Sequence, residues 1–161
     1  MIDFLVDVVS KNGSVLLNVT PTAEGEIPQP VQERLLEIGE WFKINGEAIY
    51  GTRPFTIYGE GPQEIVEGHL SERQNKEATA EDIRFTTKGE TLYAIAMDWP
   101  GDDLIIHSLG KNSGYLNEGI KNIELLGSAE MLSWNHEDDK LVINLPKDKP
   151  GDYAFSFKIE N

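Results

Sequence analysis

The spacing of apolar residues changes from 3.6 to 2 around Gly51-Thr52-Arg53-Pro54, and that switch divides the chain into two architectures. Upstream of it, Ile2, Leu5, Val6 and Val9 fall at i, i+3, i+4 and i+7, the stripe of an amphipathic helix. Lys11-Asn12-Gly13 stops that helix: lysine suits the negative end of the dipole, and Asn-Gly accepts the left-handed stop. Residues 14–19, SVLLNV, are almost continuously apolar, as in a strand buried on both faces of a parallel sheet. Residues 20–30 contain Pro21, Gly25, Pro28 and Pro30 and read as a loop. A second helix is predicted over residues 30–44, with Val31, Leu35, Ile38, Trp41 and Phe42 on its apolar side, Pro30 in its first turn and Asn45-Gly46 at its end. One buried strand between two helices cannot satisfy its own backbone groups. The first third therefore reads as a piece of a βα-repeat architecture.

Downstream, short alternating strands are separated by Gly/Pro/Asp turns, the pattern of an antiparallel sandwich. Residues 83–87 precede the tight turn Lys88-Gly89-Glu90, and TLYAIAMDW, residues 91–99, is the longest strand. Its Tyr93, Ile95 and Met97 form one face and Leu92, Ala94 and Ala96 the other. Further strands are predicted over 104–107, 122–126, 131–135 and 141–145. In the last, 152–159, Tyr153, Phe155, Phe157 and Ile159 point inward and Ala154, Ser156 and Lys158 outward. Residues 59–82 are polar, poor in strand signal, and read as a long mobile loop. The fold class is thus mainly β with an N-terminal α/β piece.

Composition narrows the function classes. Apolar residues at 39% and charged residues at 26% allow a packed core. Twenty-eight acidic residues against fourteen basic ones leave a net charge of −14, which repels phosphate backbones and anionic lipid. Neither nucleic acid nor membrane is expected as a partner. With no cysteine, disulfides and thiol chemistry are excluded, and three histidines leave little scope for zinc. No cofactor or metal is expected. No apolar run approaches the ~18–20 residues that cross a bilayer. The opening MIDFLVDVVSK lacks a basic n-region, and Asp3 and Asp7 interrupt it, so it is not read as a signal peptide. If Met1 is the natural start, no export signal is expected; if it is not, localisation stays open.

Few residue groups could carry chemistry. Asp98 with Asp102 or Asp103, and Glu137 with Asp138 and Asp139, are candidate carboxylate pairs or a loose calcium site. They follow apolar strands, where aspartate serves turns, and the turn reading is preferred. His69, His107 and His136 lack ligand spacing, and no G-x-S-x-G or G-x-G-x-x-G motif occurs. Tyr58-Gly59-Glu60-Gly61-Pro62 is glycine-rich but precedes no helix. Trp41, Trp99 and Trp134 are read as core or interface before sugar platforms, with Trp99, at a strand end beside Pro100, the one left open to exposure.

The stretch LVDVVSKNGSVLLNVTPTAEGEIPQPVQERLLEIGEWFKINGEAIYGTRPF, residues 5–55, closely resembles one stretch of the α-L-fucosidases of glycoside hydrolase family 29. The shared pattern is a helix ending VSKNG, an LLN strand, a loop with G-x-IP, a helix reading ERL-x-x-IG-x-W and the close NGEAIYGT. EDIRFTTKGETLYAIAMDWPGDDLIIHSL, residues 81–109, resembles the first strands of that family's C-terminal sandwich, and GDYAFSFKI its last.

The resemblance implies a (β/α)-barrel followed by a β-sandwich. Residues 1–53 would be the closing helix-strand-helix of the barrel and 54–161 the sandwich. The complete enzyme would be a retaining hydrolase of terminal α-L-fucosyl linkages, acting on fucosylated glycans; complete members are often secreted, periplasmic or lysosomal. The family's nucleophile, acid/base and fucose-holding histidines lie on earlier barrel strands, so no catalytic residue is assigned here. Weak substrate-site candidates are Asn18, which matches the family asparagine, and Thr20, where the family usually has glycine. For Asn18 a hydrogen bond to loop backbone is the preferred role. The alternative function is a non-catalytic sandwich that binds carbohydrate or a partner protein. Residues 2–44 are expected to self-associate or to dock on the missing barrel. The sandwich is expected to fold by itself, unless the second helix packs on it and buries Trp41.

Overall fold

The computed structural model describes residues 1–63, 77–116 and 119–161. Helix α1 (Ile2–Ser10) and helix α2 (Gln29–Asn45) come first, followed by a single 3-10 turn at Gly46–Ala48. The strands are β1 (Arg53–Glu60), β2 (Ile83–Lys88), β3 (Thr91–Ala96), β4 (Asp103–Ile106), β5 (Asn122–Leu125), β6 (Ser133–His136), β7 (Leu141–Asn144) and β8 (Phe155–Glu160). They form a five-stranded sheet, β1-β2-β3-β8-β5, and a three-stranded sheet, β4-β7-β6, with antiparallel pairing throughout.

The two faces of β3 explain the layers. Leu92, Ala94 and Ala96 enter a core shared with Phe85, Phe157, Ile143 and Leu104, between the two sheets. Tyr93, Ile95 and Met97 enter a second core with Ile2, Val6, Trp41 and Ala48, between the larger sheet and the helices. The order is therefore three layers: helices, five-stranded sheet, three-stranded sheet. Only the C-terminal half of α2 reaches the sheet, through Ile38, Trp41 and Phe42.

Three sequence expectations change. Residues 14–19 are not a strand: they have no regular secondary structure, and Leu16 is 96% exposed. The apolar pattern describes a strand that needs neighbours on both sides, and no described strand offers its edge to it. Tyr153 points outward, because the chain turns left-handed there (φ 74°) before β8 begins. Ala154 and Ser156, expected outward, are buried, because the helices cover that face. Trp99 takes the core side preferred for it, packing edge-on against Phe155 with ring centroids 4.9 Å apart.

Strand β1 was not legible as a strand. Its pairing with β2 is irregular between Pro54 and Gly59. Gly59 is required there, since a Cβ would lie 2.2 Å from the Ile83 carbonyl oxygen. The long polar loop expected over 59–82 thus starts later than expected, and its residues 64–76, His69 included, lie outside the described residues.

Candidate functional site

The densest polar constellation joins α1 to the five-stranded sheet. Asp7 lies on the buried side of α1, one position beyond Val6. Arg84 lies on β2, on the face opposite Phe85. The Arg84 Nε donates to Asp7 Oδ1 at 2.7 Å, and both side chains are nearly buried, 3% and 7% exposed. The other guanidinium nitrogens donate to the Glu60 and Ile83 carbonyls and to Gln63 Oε1, at 3.2–3.3 Å. Lys11 Nζ, one helical turn on, reaches Asp7 Oδ2 at 2.8 Å and sits 4.6 Å from the centre of the Tyr58 ring. Each buried charge is therefore paired and its remaining hydrogen-bonding capacity largely used, the condition for tolerating it in a core.

Three further bonds fix α2 and the turn after it. Trp41 Nε1 donates to the Ala154 carbonyl at 2.8 Å, and Asn45 Oδ1 accepts the Ser156 N–H at 3.2 Å. Tyr93 donates its hydroxyl to Glu47 Oε1 at 2.7 Å. Burial, and then the Glu47 carboxylate, push the Tyr93 phenol well above its ordinary value. The Tyr93 hydroxyl in turn holds the Glu47 carboxyl below the usual range, helped by Lys158.

Three of the carboxylates weighed for chemistry are bonded to nearby backbone or amide groups. Asp98 Oδ1 accepts the Trp99 N–H at 2.7 Å, Asp103 Oδ1 accepts from the Asn144 amide at 2.6 Å, and Glu137 accepts from the Asn135 amide at 2.9 Å. The backbone carbonyls of Glu137 and Asp138 accept the N–H groups of Lys111 and Asn112. His107 is exposed, and His136 Nε2 lies 2.9 Å from the Leu109 carbonyl. Trp134 is half-buried against the inter-sheet core. Asn18 and Thr20 are exposed in the irregular segment after α1. Among the described residues no group of three or more His, Cys, Asp or Glu is placed to hold a metal ion. Nor is any described helix long and apolar enough to cross a membrane.

Glu60, Asp7 and Arg84 escaped the sequence reading. Glu60 ends β1 and accepts the N–H groups of His107 and Ser108 at 2.9 and 2.7 Å, clamping one sheet to the other. The available signal was a charge inside an apolar run, Arg84 in IRFTT and Asp7 in LVDVV.

The three layers define a β-sandwich that carries two helices on the outward face of its five-stranded sheet. A family profile described as alpha-L-fucosidase matches residues 1–47, and one described as alpha-L-fucosidase C-terminal domain matches residues 74–160. The chain belongs to the α-L-fucosidase family. Among its relatives, tissue alpha-L-fucosidase of Homo sapiens is 32% identical over 99% of this chain and 30% of its own length. Plasma alpha-L-fucosidase of Rattus norvegicus is 36% identical over 89% of this chain and 27% of its own. The Thermotoga maritima alpha-fucosidase, solved in complex with fucose, superimposes with a TM-score of 0.72 at 30% identity, over 98% of this chain and 33% of that one. The chain thus spans about 30% of the length of the relatives it matches.

Proposed function

We propose that these 161 residues are the C-terminal part of an α-L-fucosidase-like retaining hydrolase, whose complete form removes terminal α-L-fucosyl units from glycans. In this reading residues 1–53 close the catalytic barrel and residues 54–161 form the sandwich that braces it. The observation that supports it is the physical junction of the two matched segments. Asp7 and Trp41 lie in the first, Arg84 and Ala154 in the second, and they bond in pairs across a buried layer. The work of this part is positioning, since a barrel helix held from outside holds the strand beside it. Asn18 and Thr20 would stand at the C-terminal end of the last barrel strand, the end at which barrel active sites form. There Asn18 would bond loop backbone.

Retaining chemistry needs two carboxyls ~5–5.5 Å apart across the sugar, one as nucleophile and one as acid/base. Asp98 and Glu137 are bonded to residues one and two positions away and Asp103 to the neighbouring strand, and the pair would come from other strands of the barrel. The purified 161-residue chain is therefore expected to give no turnover of an aryl α-L-fucoside. Turnover that survives removal of trace host enzyme and is lost on mutating Asp98, Asp102 or Asp103 would overturn the assignment.

A further inference from the structure

We propose that the cleft between the C-terminal half of α2 and the turn leading into β8 binds a neutral, hydroxyl-rich ring: a single sugar unit. The proposal rests on the cleft's own residues and stands or falls independently of the catalytic reading.

The cleft has a volume of about 270 Å³ and is formed by one face of α2 and residues 150–155. Tyr153 stands at its edge with φ 74°, a conformation rare for bulky L-residues and common for glycine. Such strain persists where surrounding structure holds it, and it concentrates at binding sites. Here Tyr153 is fixed across the cleft by its hydroxyl, which donates to Glu37 Oε2 at 3.2 Å. Its ring stays 49% exposed, so the strain does not serve to bury an aromatic in the core. It presents a flat apolar surface, continued by Ile44 and Pro150 in the lining.

The hydrogen-bonding groups of the cleft suit the ligand. Glu40 is bound by Lys43 at 2.6 Å and Asp152 by Lys149 at 2.8 Å, while Glu37 takes the Tyr153 hydroxyl. Two of the three carboxylates thus carry a lysine partner, and the third is occupied by a neutral hydroxyl, so an ammonium ion over the tyrosine ring is the competing ligand that the test must separate from a sugar. A carboxylate has about four acceptor sites, so each keeps lone pairs free, and the amide of Asn45 in the lining adds a donor and an acceptor. An apolar face beside closely spaced donors and acceptors suits a pyranose, whose C–H face is apolar and whose hydroxyls both donate and accept.

The test titrates the whole chain with L-fucose, D-galactose and tetramethylammonium chloride, followed by 1H–15N NMR. Saturable shifts confined to residues 37–45 and 150–155 are expected with at least one sugar, and none with tetramethylammonium. Tyr153→Gly, which relieves the backbone strain, should weaken sugar binding at least about tenfold while Tm holds within a few degrees. Tyr153→Phe, which keeps the ring, should lose less. No saturable sugar shift up to about 100 mM, or tighter binding of tetramethylammonium than of sugar, would overturn the proposal. So would unchanged affinity in Tyr153→Gly.

Discussion

Replacing Arg84 by methionine should destabilise the chain far more than removing both members of its ion pair. The Arg84 and Asp7 side chains are 3% and 7% exposed, so neither charge is well hydrated. Arg84→Met leaves the Asp7 carboxylate with one partner, Lys11, whose own side chain is 37% exposed. Removing one member of a buried pair costs about 3–5 kcal/mol, because the other charge stays buried. Lys11 retains part of that stabilisation, so about 3 kcal/mol is expected, against a total domain stability of about 5–15 kcal/mol. Asp7→Asn should cost less, since Arg84 keeps the Glu60, Ile83 and Gln63 oxygens as acceptors. The double variant Asp7→Leu/Arg84→Met removes both charges with apolar groups of similar volume and should recover at least half of the loss. Urea unfolding of the four proteins, followed by far- and near-UV circular dichroism, measures each value. A double variant no more stable than Arg84→Met, or an Arg84→Met cost under about 0.5 kcal/mol, would mean that α1 is not held by this pair.

Other outcomes follow from the same packing. Burial raises the Asp3 carboxyl above its usual range, with Asp98 and Glu77 adding to it, so its charged form destabilises the fold as pH rises past 3.8. Asp3→Asn should therefore stabilise the chain at pH 7, as read by Tm. Glu47 has the opposite sign: its carboxyl is lowered, so its contribution is present above pH 4.5 and lost as pH falls through the lower folded value. Glu47→Gln should flatten the acid limb of a Tm-against-pH curve between pH 2 and 5, and an unchanged limb would count against the Tyr93 contact. Phe4, Leu16 and Leu36 are 51%, 96% and 68% exposed, so the chain should self-associate with concentration in sedimentation velocity, and Leu16→Ser/Leu36→Ser should reduce it. Concentration-independent monomer behaviour would refute that. Residues 54–161 alone would expose Tyr93, Ile95 and Met97 to water and should lose their near-UV signal or melt well below the full chain.

Much of this fold was legible because its signals are local. The alternation in TLYAIA assigns its two faces correctly, Tyr93 and Ile95 to the helices and Leu92 and Ala94 to the other sheet. Trp41 could be read as core from its place on the apolar side of α2. What escaped depends on partners distant in the chain. Asp7 and Arg84 are 77 residues apart, and nothing local to either says that the other will neutralise it. The alternation of β8 holds from Phe155 onward and fails at Tyr153, where a left-handed backbone replaces the pleat. Residues 14–19 carry a strand pattern, yet a strand is a property of a sheet, and the described strands leave that segment unpaired. Asn18 and Thr20 were visible only through resemblance, because an exposed amide and hydroxyl carry no local mark of substrate.

The most direct measurement exchanges parts between relatives. Replacing the matching third of the Thermotoga maritima alpha-fucosidase, 33% of that chain, by these residues transfers the proposed bracing role intact. The account predicts a folded hybrid that hydrolyses an aryl α-L-fucoside, and loses both fold and turnover when Arg84→Met breaks the junction to α1. A well-folded hybrid without turnover would contradict the claim that this chain completes the barrel. So would full turnover in the Arg84→Met hybrid.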